Sequence, residues 1–186
     1  GGYSFSNASG DGGWVHSDMH ALWINPVNTN ILYLGTDGGV YTSIDKGVTW
    51  TFHHGLPVGQ FYHVAYDLKE PYNIYGGLQD NGSWMAPSSA PGGVGNANWS
   101  RLFGGDGFWT VPDIDGETAY AEYQGGNTFR IRLKTLKAES IKPQKTLKEE
   151  KLRWNWNTPI LTGAKNPKNL YVGAQYLYKS TDQGRN

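Results

Sequence analysis

The chain has 186 residues, enough for one domain with a real core or for part of a larger fold. Lys+Arg and Asp+Glu are both 16, so no excess of positive charge marks a nucleic-acid surface or a polybasic membrane anchor. The absence of cysteine excludes disulfides and thiolate metal sites, and no apolar run is long enough to span a bilayer.

In chain order, the elements repeat. His20-Ala21-Leu22-Trp23-Ile24 is followed, after a proline-containing turn, by Ile31-Leu32-Tyr33-Leu34-Gly35. The same pair of strands recurs as Tyr62 to Tyr66 with Asn73 to Gly77, as Phe108 to Val111 with Ala119 to Ala121, and as Thr158 to Leu161 with Leu170 to Gly173. From the first residue of each leading strand to the tyrosine of the next, the distances are 13, 13, 12 and 13 residues. The units start 42, 46 and 50 residues apart, the size of a four-stranded propeller blade. Glycine (26), proline (9) and an aromatic content of 14% agree with an all-β chain. The expectation is a single β-propeller segment over 1–186, with blades at about 14–54, 55–105, 106–155 and an incomplete 156–186, the remaining blades of the same ring being its nearest partners.

Within a unit, strands A and B are the recurring pair, and C and D follow. In the first unit C is Gly39 to Thr42 and D is Thr49 to Phe52; in the second, C lies near Ser83 to Met85 and D is Asn98 to Leu102. The loop from Ala86 to Ala97 separates C from D in the second unit, and a longer lysine-rich insertion, Lys134 to Lys151, is expected at that place in the third. It carries Lys137, Lys142, Lys145 and Lys148 and reads as a solvated surface loop.

Between C and D of the first unit lies Ser43-Ile44-Asp45-Lys46-Gly47-Val48-Thr49-Trp50, an S-x-D-x-G-x-x-W pattern, and Ser180, Asp182 and Gly184 repeat its first half. A carboxylate so placed can accept backbone N–H groups of a tight turn while the indole of Trp50 packs inward. Ser43, Asp45, Gly47, Trp50, Ser180, Asp182 and Gly184 are therefore structural candidates.

The B-to-C turns lie at the opposite end of the strands. One turn position reads Asp37, Gln79, Gln124 and Gln175, and the position two before each A strand reads Asp18, Gln60, Asp106 and Trp156. These two columns are expected to meet at the mouth of the central channel. His16, Asp18 and His20 would share one side of a strand by alternation. They could offer cation ligands, but histidines hydrogen-bonded at a channel wall are the commoner case, and no metal or cofactor is expected. Asp37, Asp80 and Asp106 each sit in a Gly-rich turn, where side-chain to backbone bonding explains an aspartate by itself. Two carboxylates flanking a channel are also the minimum for acid/base cleavage of a glycosidic bond. Asp37 and Asp106 are the catalytic candidates, with Asp80 in reserve. His16, Asp18, His20, Gln60, Gln79, Gln124, Trp156 and Gln175 are the substrate-binding candidates. Trp14, Trp109, Trp154 and Trp156 could stack on sugars or fill blade interfaces.

WVHSDMHALWINP, GTDGGVYTSIDKGVTW, GLPVGQFYHVAYD, YGGLQDNGSW, GGDGFW and WNWNTPI resemble stretches of bacterial secreted proteins with BNR/Asp-box repeats and sortilin-type propellers. The resemblance implies a β-propeller outside the cell or on its surface, acting on polysaccharide or binding a glycan or surface protein. Arg101, Arg130, Arg132, Arg153 and Arg185 avoid both mouth columns, which disfavours a sialidase-like arginine triad. Thr36-Asp37-Gly38-Gly39 and Gly105-Asp106-Gly107 are similar to the turns that carry the catalytic aspartates of xyloglucan-active hydrolases. The resemblance thus implies a xyloglucanase-like O-glycoside hydrolase, or a sortilin-like binding propeller that catalyses nothing.

Overall fold

A computed structural model describes residues 15–54, 56, 59–144, 151–166 and 168–185. The chain is all-β and divides into two compact units, 1–59 and 60–186. Trp14 and the insertion residues Lys145 and Lys148 lie outside the described residues.

The first unit holds one antiparallel sheet in simple up-and-down order: β1 (Met19–Ile24), β2 (Leu32–Thr36), β3 (Gly39–Ser43) and β4 (Thr51–Phe52). Leu34 pairs with Tyr41 and Tyr41 with Phe52, so alternate residues of β2, β3 and β4 reach one face. There Val15, Leu34, Tyr41 and Trp50 form a buried cluster, with Leu32 and Phe52 against it. Gly39 closes the β2–β3 turn at φ +130°, and a Cβ there would lie 2.8 Å from the Phe52 ring, so only glycine fits.

The second unit contains three consecutive sheets of the same kind. They are β5 (Phe61–Tyr66) to β8 (Ser100–Phe103) through β6 (Asn73–Leu78) and β7 (Gly82–Pro87); β9 (Thr110–Pro112) to β12 (Lys137–Ser140) through β10 (Thr118–Tyr123) and β11 (Asn127–Arg132); and β13 (Ile160–Thr162), β14 (Leu170–Gly173) and β15 (Leu177–Ser180). Each is an antiparallel meander, and β9 contacts both β5 and β13 through the leading strands, as consecutive propeller blades do. The fold class is the all-β, propeller-blade architecture that the repeat spacing predicts.

Alternation along β10 explains how the middle blade is covered on both faces. Ala119 and Ala121 join Tyr75, Leu102 and Ile131 on one side, while Tyr120 joins Ile160, Leu170 and Val172 on the other. Small residues meet the large Tyr75 ring, and Tyr120 fills the opposite interface. The segment leading into β9 docks on the β6–β7 turn, with Gly107 N–H donating to Leu78 C=O at 3.0 Å. A Cβ on Gly77 would lie 2.2 Å from the Gly107 carbonyl carbon, so this backbone contact needs glycine.

One expected feature is displaced. The lysine-rich insertion does not separate C from D in the third sheet: β12 is strand D, and it occupies Lys137–Ser140 inside the expected insertion. Arg130 of β11 pairs with Glu139 of β12, and Ile131 faces Ala138, so a strand rich in charge still pairs at the outer edge. The long connection instead follows strand D. Among the described residues no helix is long and apolar enough to cross a membrane.

Candidate functional site

Each of the four B-to-C turn side chains is hydrogen-bonded to the leading part of its own sheet. His20 Nε2–H donates to Asp37 Oδ1 at 2.5 Å, and Tyr62 OH donates to Gln79 Oε1 at 2.7 Å. Gln124 Nε2–H donates to Asp106 Oδ2 at 2.5 Å, and Arg153 N–H donates to Gln175 Oε1 at 2.7 Å. Each links a B-to-C turn to the leading strand of its own sheet or to the segment before that strand. In the third sheet the two polar columns bond to each other through Gln124 and Asp106; in the others the turn side chain is tied to His20, Tyr62 or Arg153, and the Asp37 amide reaches the Asp18 carbonyl.

Around Asp37 in the first unit, Gly38 N–H donates to Thr36 Oγ1 and Asp37 N–H to Asp18 C=O. The side chain of Asp37 is 11% exposed and that of His20 is 64% exposed. His16, Asp18 and His20 do not form one strand face: β1 starts at Met19, Asp18 has φ +57°, and the pairing with β2 is irregular between Met19 and Ala21. His16 instead donates its N–H to Tyr41 OH, and its Nδ1–H donates to Ser17 C=O.

In the second unit Asp106 is buried, and both of its oxygens are engaged. Oδ1 accepts Asp80 N–H at 2.7 Å and Oδ2 accepts Gln124, while Asp106 N–H donates to Gln124 Oε1 at 3.2 Å. Asp80 has φ +58° in its turn. Gln60 is exposed just before β5, and Gln175 also donates to Lys151 C=O.

The tryptophans separate by environment. Trp109 stacks on His63 at 3.9 Å, and Trp154 covers Gly126 with Lys142 Nζ 5.3 Å from its ring; both are half-buried. Trp156 is 60% exposed and stands edge-on to Phe108, which packs in turn on Tyr62 at 4.7 Å. The result is an open aromatic platform with the Tyr62–Gln79 hydrogen bond beside it.

At the other end of the strands, the two S-x-D-x-G turns share the bonds made by their serines. Ser43 Oγ accepts Gly47 N–H at 2.8 Å and donates to Asp45, and Ser180 does the same with Gly184 and Asp182. Asp45 accepts both the hydroxyl and the N–H of Thr49, and Asp182 accepts Arg185 N–H. The Thr49 hydroxyl and amide, with Ser43, hold the Asp45 carboxyl down at about 2.

Two features escaped the sequence reading. Asp67 accepts Tyr75 OH at 2.9 Å, and Asp113 accepts Tyr120 OH at 2.6 Å; both pairs are buried, and burial together with the adjacent carboxylate pushes both phenols upward. The tyrosine repeat was visible, but its aspartate five residues after the start of strand A was not recognised as its partner. The second is Glu122, which stands where the other units have glycine and is fully buried. Burial raises its carboxyl to about 8 against the opposing N–H bonds of Thr158 and Gly126 and the charge of Lys142. Among the described residues its Oε2 has no hydrogen-bond partner.

No protein-family profile and no curated protein sequence matches this chain. Solved structures do. A GH74 xyloglucanase from Xanthomonas campestris aligns over 91% of this chain and 29% of its own, at 16% identity and TM-score 0.48. An auxiliary nutrient binding protein from Bacteroides thetaiotaomicron aligns over 87% and 38%, at 13% identity and TM-score 0.46. An ancestral GH74 enzyme aligns over 89% and 23%, at 15% identity and TM-score 0.48. The chain thus spans between 23% and 38% of the length of these three proteins.

Proposed function

We propose that the chain supplies blades to a BNR/Asp-box propeller, outside the cell or on its surface, that recognises polysaccharide on the B-to-C turn side. The observation that carries this reading is the exposed Trp156 ring, held edge-on by buried Phe108, with Tyr62 and Gln79 next to it. A rigid aromatic face flanked by an amide and a phenol offers a sugar both stacking and directional hydrogen bonds. The paired S-x-D-x-G turns and the sequence resemblance support the Asp-box assignment.

Hydrolysis is the second reading, favoured by the pairing of Asp37 with His20 on the same kind of turn. In it Asp37 moves the proton at the glycosidic oxygen, and Asp106 is the second carboxylate that the sequence offers. Burial and saturation of Asp106 favour recognition over that pair, because an acid/base group has to reach the substrate. A xyloglucan, cellulose and mannan panel, run on the full chain for both retention and reducing-end release, separates the readings. Retention that Trp156→Ala abolishes supports recognition, and no retention by any glycan sinks it. Reducing ends released by the wild type but not by Asp37→Asn would move the conclusion to hydrolysis.

A further inference from the structure

At the A-to-B and C-to-D end of the second unit, opposite Trp156 along the strands, lies an open pocket of about 680 Å³. It draws on three successive sheets. Lys69 comes from the β5–β6 turn, Asp115 to Thr118 from the β9–β10 turn, Arg130 and Arg132 to Thr135 from the β11–β12 hairpin, and Arg185 from the turn after β15.

Its cations are Lys69, Arg130, Arg132, Lys134 and Arg185, and its lining acids are Asp115 and Glu117. Arg130 is committed to Glu139 and to the Gln183 carbonyl, and Arg185 donates to Gln183 Oε1. Lys69, Arg132 and Lys134 are all exposed and take part in no ion pair among the described residues. Asp115 and Glu117 offset part of this charge, the Asp115 carboxylate being held in place by the N–H groups of Glu117 and Thr118 and the amide of Gln183, and the five cations of the lining still outnumber its two acids. The chain as a whole is neutral, so this is a local concentration of charge. The Lys69 stem passes over Gly116, where a Cβ would lie 3.2 Å from Lys69 Cε.

We propose that this pocket binds an oxyanion of the carboxylate or sulfate type, held by Lys69, Arg132 and Lys134 with the hydroxyl of Thr135 at its wall. An excess of cations over carboxylates around one concavity favours entry of an anion, and a guanidinium fork beside ammonium groups suits a planar or tetrahedral oxyanion. The pocket has one apolar lining residue, Leu133, and no aromatic one, so it lacks the stacking surface that a neutral sugar would use. The oxyanion has two sources, a free small anion or a uronate or sulfate substituent on a polysaccharide. The site is separate from the Trp156 platform and does not depend on it.

The test is calorimetric titration of the full chain at low ionic strength with sodium sulfate, sodium citrate and tri-galacturonic acid, with cellotriose as the neutral control. Binding of any of the three anions, weakened by added sodium chloride and reduced about tenfold or more in Arg132→Gln/Lys134→Gln, supports the site. Sulfate or citrate binding identifies a free anion as sufficient; binding of the trisaccharide alone identifies the polysaccharide source. Lys69→Gln, on a different sheet, is measured beside the double variant, and thermal melts establish that each is folded. Absence of binding by all three anions, or wild-type affinity in both folded variants, overturns the proposal. Sulfate and citrate are read without any neutral glycan, so this outcome and that of the glycan panel stand or fall separately.

Discussion

Asp106 and Gln124 close a two-bond ring: the Asp106 amide donates to Gln124 Oε1 at 3.2 Å, and Gln124 Nε2–H returns to Asp106 Oδ2 at 2.5 Å. The remaining oxygen of Asp106 takes the Asp80 N–H at 2.7 Å, so one buried side chain ties the second sheet to the third. Asp106→Ala removes the acceptor of the Asp80 N–H and of Gln124 Nε2–H, while Gln124 Oε1 keeps the backbone N–H of residue 106. The expected cost is about 2–3 kcal/mol, a fall in melting temperature of about 5–10 °C. Asp37→Asn is expected to shift the melt by less than half as much. Equal melts for wild type and Asp106→Ala would remove the clamp.

Trp156 carries little of the fold, being 60% exposed. Trp156→Ala should weaken retention of a bound polysaccharide by about tenfold, the scale of one aromatic stacking contact. Its melting temperature should stay within about 2 °C of wild type, as for a surface substitution. Affinity electrophoresis and a thermal melt on the same preparation check both halves.

Glu122 predicts a pH dependence of stability with a definite sign. Its folded value of about 8 lies above the ordinary 4.5, so the folded state holds a proton that the unfolded chain has released between these values. The contribution of the neutral carboxyl is complete below about 4.5 and is lost as the pH rises through 8, with a slope of at most about 1.4 kcal/mol per pH unit. Thr158 and Gly126 amides and the Lys142 ammonium face the group and reduce the loss without cancelling it. Glu122→Gln should flatten the profile, gaining stability over wild type at pH 9 more than at pH 5. Urea melts at the two pH values measure this, and parallel losses in both proteins would contradict it.

The Asp67–Tyr75 and Asp113–Tyr120 pairs allow a comparison within one repeat. Tyr75 and Tyr120 are fully buried, whereas Tyr33, at the same repeat position, is 43% exposed and packs on Trp23. Tyr75→Phe and Tyr120→Phe should each cost about 1–2 kcal/mol, because a buried carboxylate loses a donor. Tyr33→Phe should cost less than about 0.5 kcal/mol. Three equal costs in chemical denaturation would show that the hydroxyl bonds contribute nothing.

The blade pattern was legible in the sequence because a four-stranded meander repeats its turns at nearly constant spacing, and because the S-x-D-x-G turn is a local structure. Ser43, Asp45 and Gly47 bond within five residues, and Ser180, Asp182 and Gly184 repeat that bonding from the same letters. Strand D of the third sheet was not legible, since the charges of Lys137 and Glu139 mask an edge strand that needs only one partner.

The S-x-D-x-G-x-x-W stretch shows where each level of information ends. Sequence alone determined that Asp45 is a turn residue, that Trp50 turns inward, and that four strand pairs recur. Only the tertiary structure decided that Asp106 is saturated, that Glu122 is fully buried, and that Trp156 is open while Trp109 and Trp154 are half-buried. The reason is range: a turn is made by neighbours in the chain, but burial and saturation are made by whichever blade packs alongside, and composition does not name that blade.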